Sequence, residues 1–161
     1  MTSQTLDLPA SARWRQRLAG LCATLERFPL SALQFMSRLS IGAVFFNSGL
    51  TKIASWQTTI VLFRDEYKVP ILPPELAAAL AASVELTCPV LLVLGLLSRL
   101  ATLPMLGMTF VIGVFVYPED WVEHLGWVAS LLFILTRGPG WISLDHVLAP
   151  RFMTGLTGTG R

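Results

Sequence analysis

Charge is scarce in this sequence. Asp, Glu, Lys and Arg together make up 14% of its 161 residues, whereas a soluble domain carries about a quarter. A chain so poor in charge is not an ordinary water-soluble domain. Cysteine is nearly absent as well. Cys22 and Cys88 form no CxxC and no zinc-ligand spacing, and their expected positions at a surface and within a span keep them from pairing. There is no P-loop and no GxGxxG, so the sequence offers no nucleotide cradle. Residues 1–25 contain Asp7, Arg13, Arg15 and Arg17 without the continuous apolar core that a cleavable signal peptide needs. The net charge of +2 gives no reason to expect nucleic acid as a partner, because membrane orientation accounts better for the basic residues.

What is abundant is apolar surface: 53% of residues are hydrophobic and the mean hydropathy is +0.63. Four stretches stand out, near Leu30–Ile53, Glu75–Leu97, Leu100–Tyr117 and Trp121–Arg137. A helix needs roughly 20 residues to cross the hydrocarbon core. The pattern predicts an all-α integral membrane four-helix bundle preceded by a short amphipathic helix. Arg13, Trp14 and Arg17 with Leu18, Leu21 and Leu25 suit a helix lying on the membrane surface. Three regions follow: a basic N-terminal segment over residues 1–29, a membrane domain over 30–148 and a flexible Gly/Thr-rich tail over 149–161. Gly138-Pro-Gly140 is expected to stop the fourth helix, and Ser143 to cap a short helix through Leu148. Arg13, Arg15, Arg17 and Arg27 precede the first stretch, Arg99 separates the second and third, and Arg137, Arg151 and Arg161 follow the fourth. Residues 118–124 contain no Lys or Arg. The positive-inside rule therefore puts both termini in the cytoplasm. The bilayer is one expected partner, and a membrane or periplasmic protein or a second copy of the chain is another.

Inside the second stretch stands Glu85, and four residues later Pro89, which has no N–H for the Glu85 carbonyl. An unpaired carboxylate in hydrocarbon costs several kcal/mol, so Glu85 calls for a partner. On the first stretch Arg38, Gly42, Phe45, Gly49 and Lys52 fall on one helical stripe, with Asn47 opposite. Counted from Leu30 and Leu97, Arg38 lies roughly 12 Å deep and Glu85 roughly 18 Å deep. That favours Arg38 as the partner of Glu85. Lys52, expected to reach out to surface water, is the competitor. Such a pair can carry function or merely fix helix register.

Other polar groups point elsewhere. Met105, Met108 and Cys88 offer soft ligands for copper, and His124 with Glu119, Asp120 and Glu123 offers a divalent-cation site on an outer loop. Methionine on a membrane helix is more often packing, and an acidic loop is more often simply solvated. Trp56, Trp121, Trp127 and Trp141 suit interfacial belts, and aromatic surfaces of that kind also accept a quinone ring.

Three runs carry a resemblance: Arg38-x-x-Ile-Gly42 with Ser48-Gly-Leu-Thr-Lys52; Glu85 followed by Leu94-Gly95-x-x-Ser98-Arg99; and Arg137-Gly-Pro-Gly-x-x-Ser-Leu-Asp145. In this order they resemble the DoxX family of four-helix bacterial membrane proteins, over Arg38–Leu148. The resemblance implies an inner-membrane bundle with an Arg38, Lys52 and Glu85 set. The family takes its name from a subunit of a thiosulfate:quinone oxidoreductase, and other members are linked to redox and thiol-stress assemblies. Asp65-Glu-Tyr-x-Val-Pro-x-Leu-Pro-Pro-Glu75 with Phe115-Val-Tyr-Pro-Glu119 resembles a branch encoded beside small metal-handling secreted peptides. The family supplies no catalytic residues to carry over. The expectation is an accessory subunit of a quinone-linked redox system or a copper-handling system, not an independent enzyme. A small proton- or metal-linked transporter and a structural anchor are the alternatives.

Overall fold

The computed structural model describes residues 10–148, with side chains from Trp14. The Arg13 side chain, Arg151, Arg161 and the expected tail lie outside the described residues. The described residues are helical and contain no strand. The chain divides into two units between Leu30 and Ser31. In the first, α1 (Ala10–Glu26) runs until Arg27 and Phe28 close its last turn onto Thr24 and Leu25. Trp14, Leu18, Leu21 and Leu25 recur at helical spacing, and all four are exposed.

In the second unit, α2 (Leu30–Ala54) is followed by α3 (Trp56–Leu62), a π-helical turn (Phe63–Tyr67), α4 (Pro74–Leu94), α5 (Ser98–Val111) with a π-helical end (Ile112–Val116), and α6 (Trp121–Arg137). Residues 54–74 thus hold a helix and a wide π-helical turn. Phe63 of that turn is buried against Ala77 and Ala78 of α4, with Trp56, Tyr67 and Val69 packed around it. Trp56 is therefore packed against protein rather than standing free in an interfacial belt.

The main core draws Ile41 and Phe45 from α2, Cys88 and Leu92 from α4, Ala101 and Met105 from α5, and Leu131 and Ile134 from α6. Segments Pro74–Leu94 and Ser98–Val116 are long and apolar enough to cross a membrane, and up to three spans result if α2 counts jointly with the helix before it. The outward-facing hydroxyls fit an environment without water: Ser83, Thr87, Ser130 and Thr136 each donate to the carbonyl four residues earlier, at 2.7–3.0 Å. Lipid would leave them no other partner.

The stripe read from the first stretch is the buried face of α2: Arg38, Gly42, Phe45 and Gly49 are all buried. It packs on α4. A methyl placed at Gly42 would stand 2.8 Å from Val93 Cγ2, and one at Gly49 would stand 3.0 Å from Glu85 Cβ. The helices can approach this closely only because neither position carries a side chain. Asn47, on the opposite side, is exposed.

The α4–α5 turn is locked from a distance. Gly95 takes φ +72° and closes α4, with its N–H on Leu92 O and the Leu96 N–H on Leu91 O, a Schellman ending. Asp145 then accepts from the Leu97 and Ser98 N–H groups at 2.8 and 3.0 Å, and donates its own N–H to Gly95 O at 2.8 Å. Leading up to it, Gly138 ends α6 and Ser143 Oγ accepts the His146 N–H at 3.2 Å, capping helical residues 144–148. Both signals were readable in the sequence.

Gly95→Ala adds strain at a positive φ and places its methyl 2.8 Å from Ser143 Cα. It is expected to cost about 3 kcal/mol. Gly126, with nothing within 4 Å, is the control: Gly126→Ala should stay within about 0.5 kcal/mol of the parent or gain slightly. Thermal unfolding in detergent checks both.

Candidate functional site

Glu85 is turned inward from the middle of α4, and its ionic partner is Lys52. Lys52 Nζ lies 2.8 Å from Glu85 Oε1, and Ser48 Oγ donates to the same oxygen at 3.1 Å. Lys52 Nζ also donates to Ser48 Oγ at 2.9 Å. Ser48 and Lys52 are four apart on α2, so both side chains reach the same level of α4. Glu85 is 2% exposed and Lys52 16% exposed. The second carboxylate oxygen, Oε2, is buried without a partner.

The expected Arg38–Glu85 pair does not form. The helix contacts explain why: Gly49 sits level with Glu85, Gly42 level with Pro89 and Val93, and the Arg38 guanidinium against Gly95. Arg38 is then about 16 Å along α2 from the level of Glu85. The depth count failed because it treated Leu30 and Leu97 as equally deep. The first turns of α2 instead run past the end of α4 and are covered by residues 137–141. Gln34 there donates to the Arg137 and Gly138 carbonyls at 3.1 Å, and Ser31 Oγ accepts the Trp141 N–H at 3.2 Å. Lys52, for its part, turns its ammonium onto Glu85 and Ser48 and keeps 16% of its side chain exposed.

Arg38 is fully buried. It donates through Nη2 to the Ile142 carbonyl, lies over the Phe35 ring at 5.4 Å, and is balanced by Asp145. Its Nε and Nη1 have no partner. Arg38, buried, and Lys52, partly exposed, therefore belong to two separate clusters on one helix face.

Beside Lys52 and Glu85 opens a cavity of about 480 Å³. Its walls are largely apolar, with Ala77, Ala81 and Val84 from α4, Met108 and Val111 from α5, and Trp127 from α6. Both π-helical segments border it, through Phe63 and Tyr67 and through Ile112 and Val116. Wide turns of this kind recur at functional sites. Tyr117 lies at the same cavity and donates to Glu66 Oε1 at 2.8 Å. The adjacent Tyr67 hydroxyl, burial and the Glu66 carboxylate raise the Tyr117 phenol above its ordinary range, so it remains a donor at neutral pH.

His124 corrects a second expectation. It is not part of a solvated acidic loop; it lies in the first turn of α6, 6% exposed, facing Gly113 and stacked edge-on against Trp127. Its Nδ1 is buried without a partner, and the ring borders the cavity. Among the described residues no three His, Cys, Asp or Glu side chains converge as a metal site. Cys88 and Met105 are buried in the main core, and Met108 packs against it. Pro89 is also buried, its ring facing Gly42. Trp127 sits between core and cavity, while Trp121 and Trp141 are exposed in the manner of a belt. Sequence reasoning missed the bridging role of Ser48, although its spacing from Lys52 signalled it. It also missed Tyr67 and Tyr117, which sit in connections without periodicity.

All-helical, with apolar spans and a buried ion pair at an apolar cavity, the chain is an integral membrane protein. It belongs to the DoxX family, whose profile matches residues 33–118. No curated protein and no solved structure matches it.

A double-mutant cycle tests the pairing. Lys52→Met alone leaves a buried carboxylate unpaired and should cost about 3–5 kcal/mol. Combined with Glu85→Leu, the two changes should couple by about 1–3 kcal/mol, whereas Arg38→Met and Glu85→Leu should add within about 0.5 kcal/mol. Unfolding in detergent gives both numbers, and the reverse pattern would restore the Arg38 pairing.

Proposed function

We propose that the chain holds a quinone beside Lys52 and Glu85, as an accessory subunit of a quinone-linked electron-transfer system rather than an independent enzyme. One observation carries the reading. An apolar-walled cavity of about 480 Å³ meets a buried ion pair whose Glu85 Oε2 has no partner. A quinone ring presents two carbonyl acceptors on an apolar body with an apolar tail, so it needs few polar anchors in a greasy cleft. Lys52 is a donor for one carbonyl, and His124, which also borders the cavity, is a second polar anchor. Glu85 Oε1 holds the Lys52 ammonium in place, and Oε2 can accept a proton from the hydroxyl of the ligand's quinol form. A bound quinone would supply paired electron and proton transfer. This chain's residues bind it, orient it and keep bulk water from most of its surface.

We read four spans, because α2, α4, α5 with its π-helical end, and α6 all contribute to one core. The 17 residues of α6 extend about 26 Å, close to the roughly 30 Å of hydrocarbon. Arg99 and Arg137 at one end, against the Lys- and Arg-free residues 118–124 at the other, support a reading with both termini in the cytoplasm. A C-terminal fluorescent fusion that stays dark in cells would refute that orientation. A metal-handling role would have to come through a partner, since Cys88, Met105 and Met108 serve packing.

Titrating the purified protein in nanodiscs with a short-chain para-benzoquinone should quench Trp127 fluorescence saturably, with a Kd of about 1–100 μM. Lys52→Met with Glu85→Leu should weaken binding roughly tenfold or more, about 1.4 kcal/mol. Quenching that never saturates, or an unchanged Kd in the double variant, overturns the assignment.

A further inference from the structure

Lys52 stands between two cavities. The second, of about 380 Å³, is built around the junction of α2 and α3, where Thr51, Ser55, Thr58 and Thr59 form its polar wall. Ser48, Lys52, Phe63 and Tyr67 border both cavities. The two spaces differ in chemistry: one is walled mostly by aliphatic and aromatic side chains, while in the other a run of hydroxyls stands beside Ala54, Leu62, Phe63 and Tyr67. Ser55 and Thr58 are exposed, so the polar cavity opens outward at the end of α2. It has room for on the order of ten waters, and hydroxyls supply the partners that ordered water needs.

Two independent observations meet at this wall. Glu85 is 98% enclosed and leaves Oε2 without a partner, whereas its partner Lys52 keeps part of its surface open. The Lys52 side chain, not Glu85, borders the second cavity. The other titratable groups around the pair are Tyr67, Tyr117, Asp120, Glu123 and His124. All border the apolar cavity, and only Tyr67 borders the hydroxyl-walled one as well.

We propose that the hydroxyl-walled cavity is a water-filled inlet through which the Lys52–Glu85 pair exchanges protons with the aqueous phase while a ligand occupies the apolar cavity. The inference deepens the quinone reading and depends on it only for what fills the apolar side. The exchange step is self-contained. An ammonium N–H bond breaks as an O–H bond forms on a water of the inlet, the reverse transfer restores it, and no electron moves. Thr59 steadies the route by donating its hydroxyl to the Lys52 carbonyl at 3.0 Å, which fixes α3 against the end of α2.

The chain has only two lysines, Lys52 and Lys68, which makes a direct test practical. In full-length protein carrying isotope-labelled lysine, nuclear magnetic resonance in nanodiscs reads solvent exchange at each ammonium. Exposed Lys68 is the internal reference. Lys52 is expected to exchange with water, and Thr58→Phe, which fills the inlet, should slow that exchange roughly tenfold or more without affecting Lys68. Ser55→Phe blocks the same space from a second position, in case the first variant folds poorly. Saturating para-benzoquinone, which engages one of the three Lys52 N–H groups, should slow Lys52 exchange only a few-fold, to roughly a third of its free rate. Exchange unaffected by both blocking variants, or stopped by the quinone, would place the water route through the apolar cavity and overturn the inlet. Absence of benzoquinone binding in the fluorescence titration would defeat the quinone reading alone, and the blocking variants would still decide the inlet.

Discussion

The close approach of α2 to α4 governs everything else in the second unit. At Gly42 and Gly49 there is no side chain between the helices, and the neighbouring Val93, Leu86 and Glu85 fill the space. Such contact fixes axial register as well as distance, because ridges seat into grooves at one offset only. With Gly49 level with Glu85, Lys52 falls one turn further along and reaches the carboxylate. The same offset carries Arg38 beyond the end of α4, to Gly95 and the Ile142 carbonyl. A change of register by one turn would strand both cations at once.

Two cations about four turns apart on one helix, Arg38 buried and Lys52 partly exposed, are thus accommodated in different ways. Lys52 meets a carboxylate and a hydroxyl. Arg38 meets a carbonyl, an aromatic face and the field of Asp145. The two side chains are not interchangeable in these roles. A compact ammonium suits a single shared oxygen, while a planar guanidinium can lie on a ring and reach a carbonyl at its edge. The Arg38 cluster ties the α4–α5 turn to the segment after α6, and the Lys52 cluster borders open space. One is architecture and the other is a site.

Much of this was legible from residue order. The four apolar stretches match the four long helices within a few residues, and the stripe of Arg38, Gly42, Phe45 and Gly49 is the buried face of α2. Glu85 was singled out because a carboxylate in an apolar run demands compensation, and the structure shows it compensated. Its partner was misjudged because helix ends do not share one depth, a tertiary offset that no single helix records. His124 was misread because three acidic neighbours suggested solvent, while the helical turn of α6 sends its ring inward against Trp127. The cavity could not be foreseen. It depends on the packing of residues 56–67 onto α4, and that stretch is short, mixed in polarity and without sustained period.

Asp145 gives the fold a direction in time. The carboxylate that caps the start of α5 lies 47 and 48 residues further along the chain. Synthesis proceeds from the N-terminus, so α4 and α5 enter the membrane with their connecting turn still open and Arg38 without the Ile142 carbonyl. Closure waits for residues 142–145 to emerge. Until then the start of α5 lacks the cap that Asp145 supplies, and Arg38 lacks its carbonyl partner.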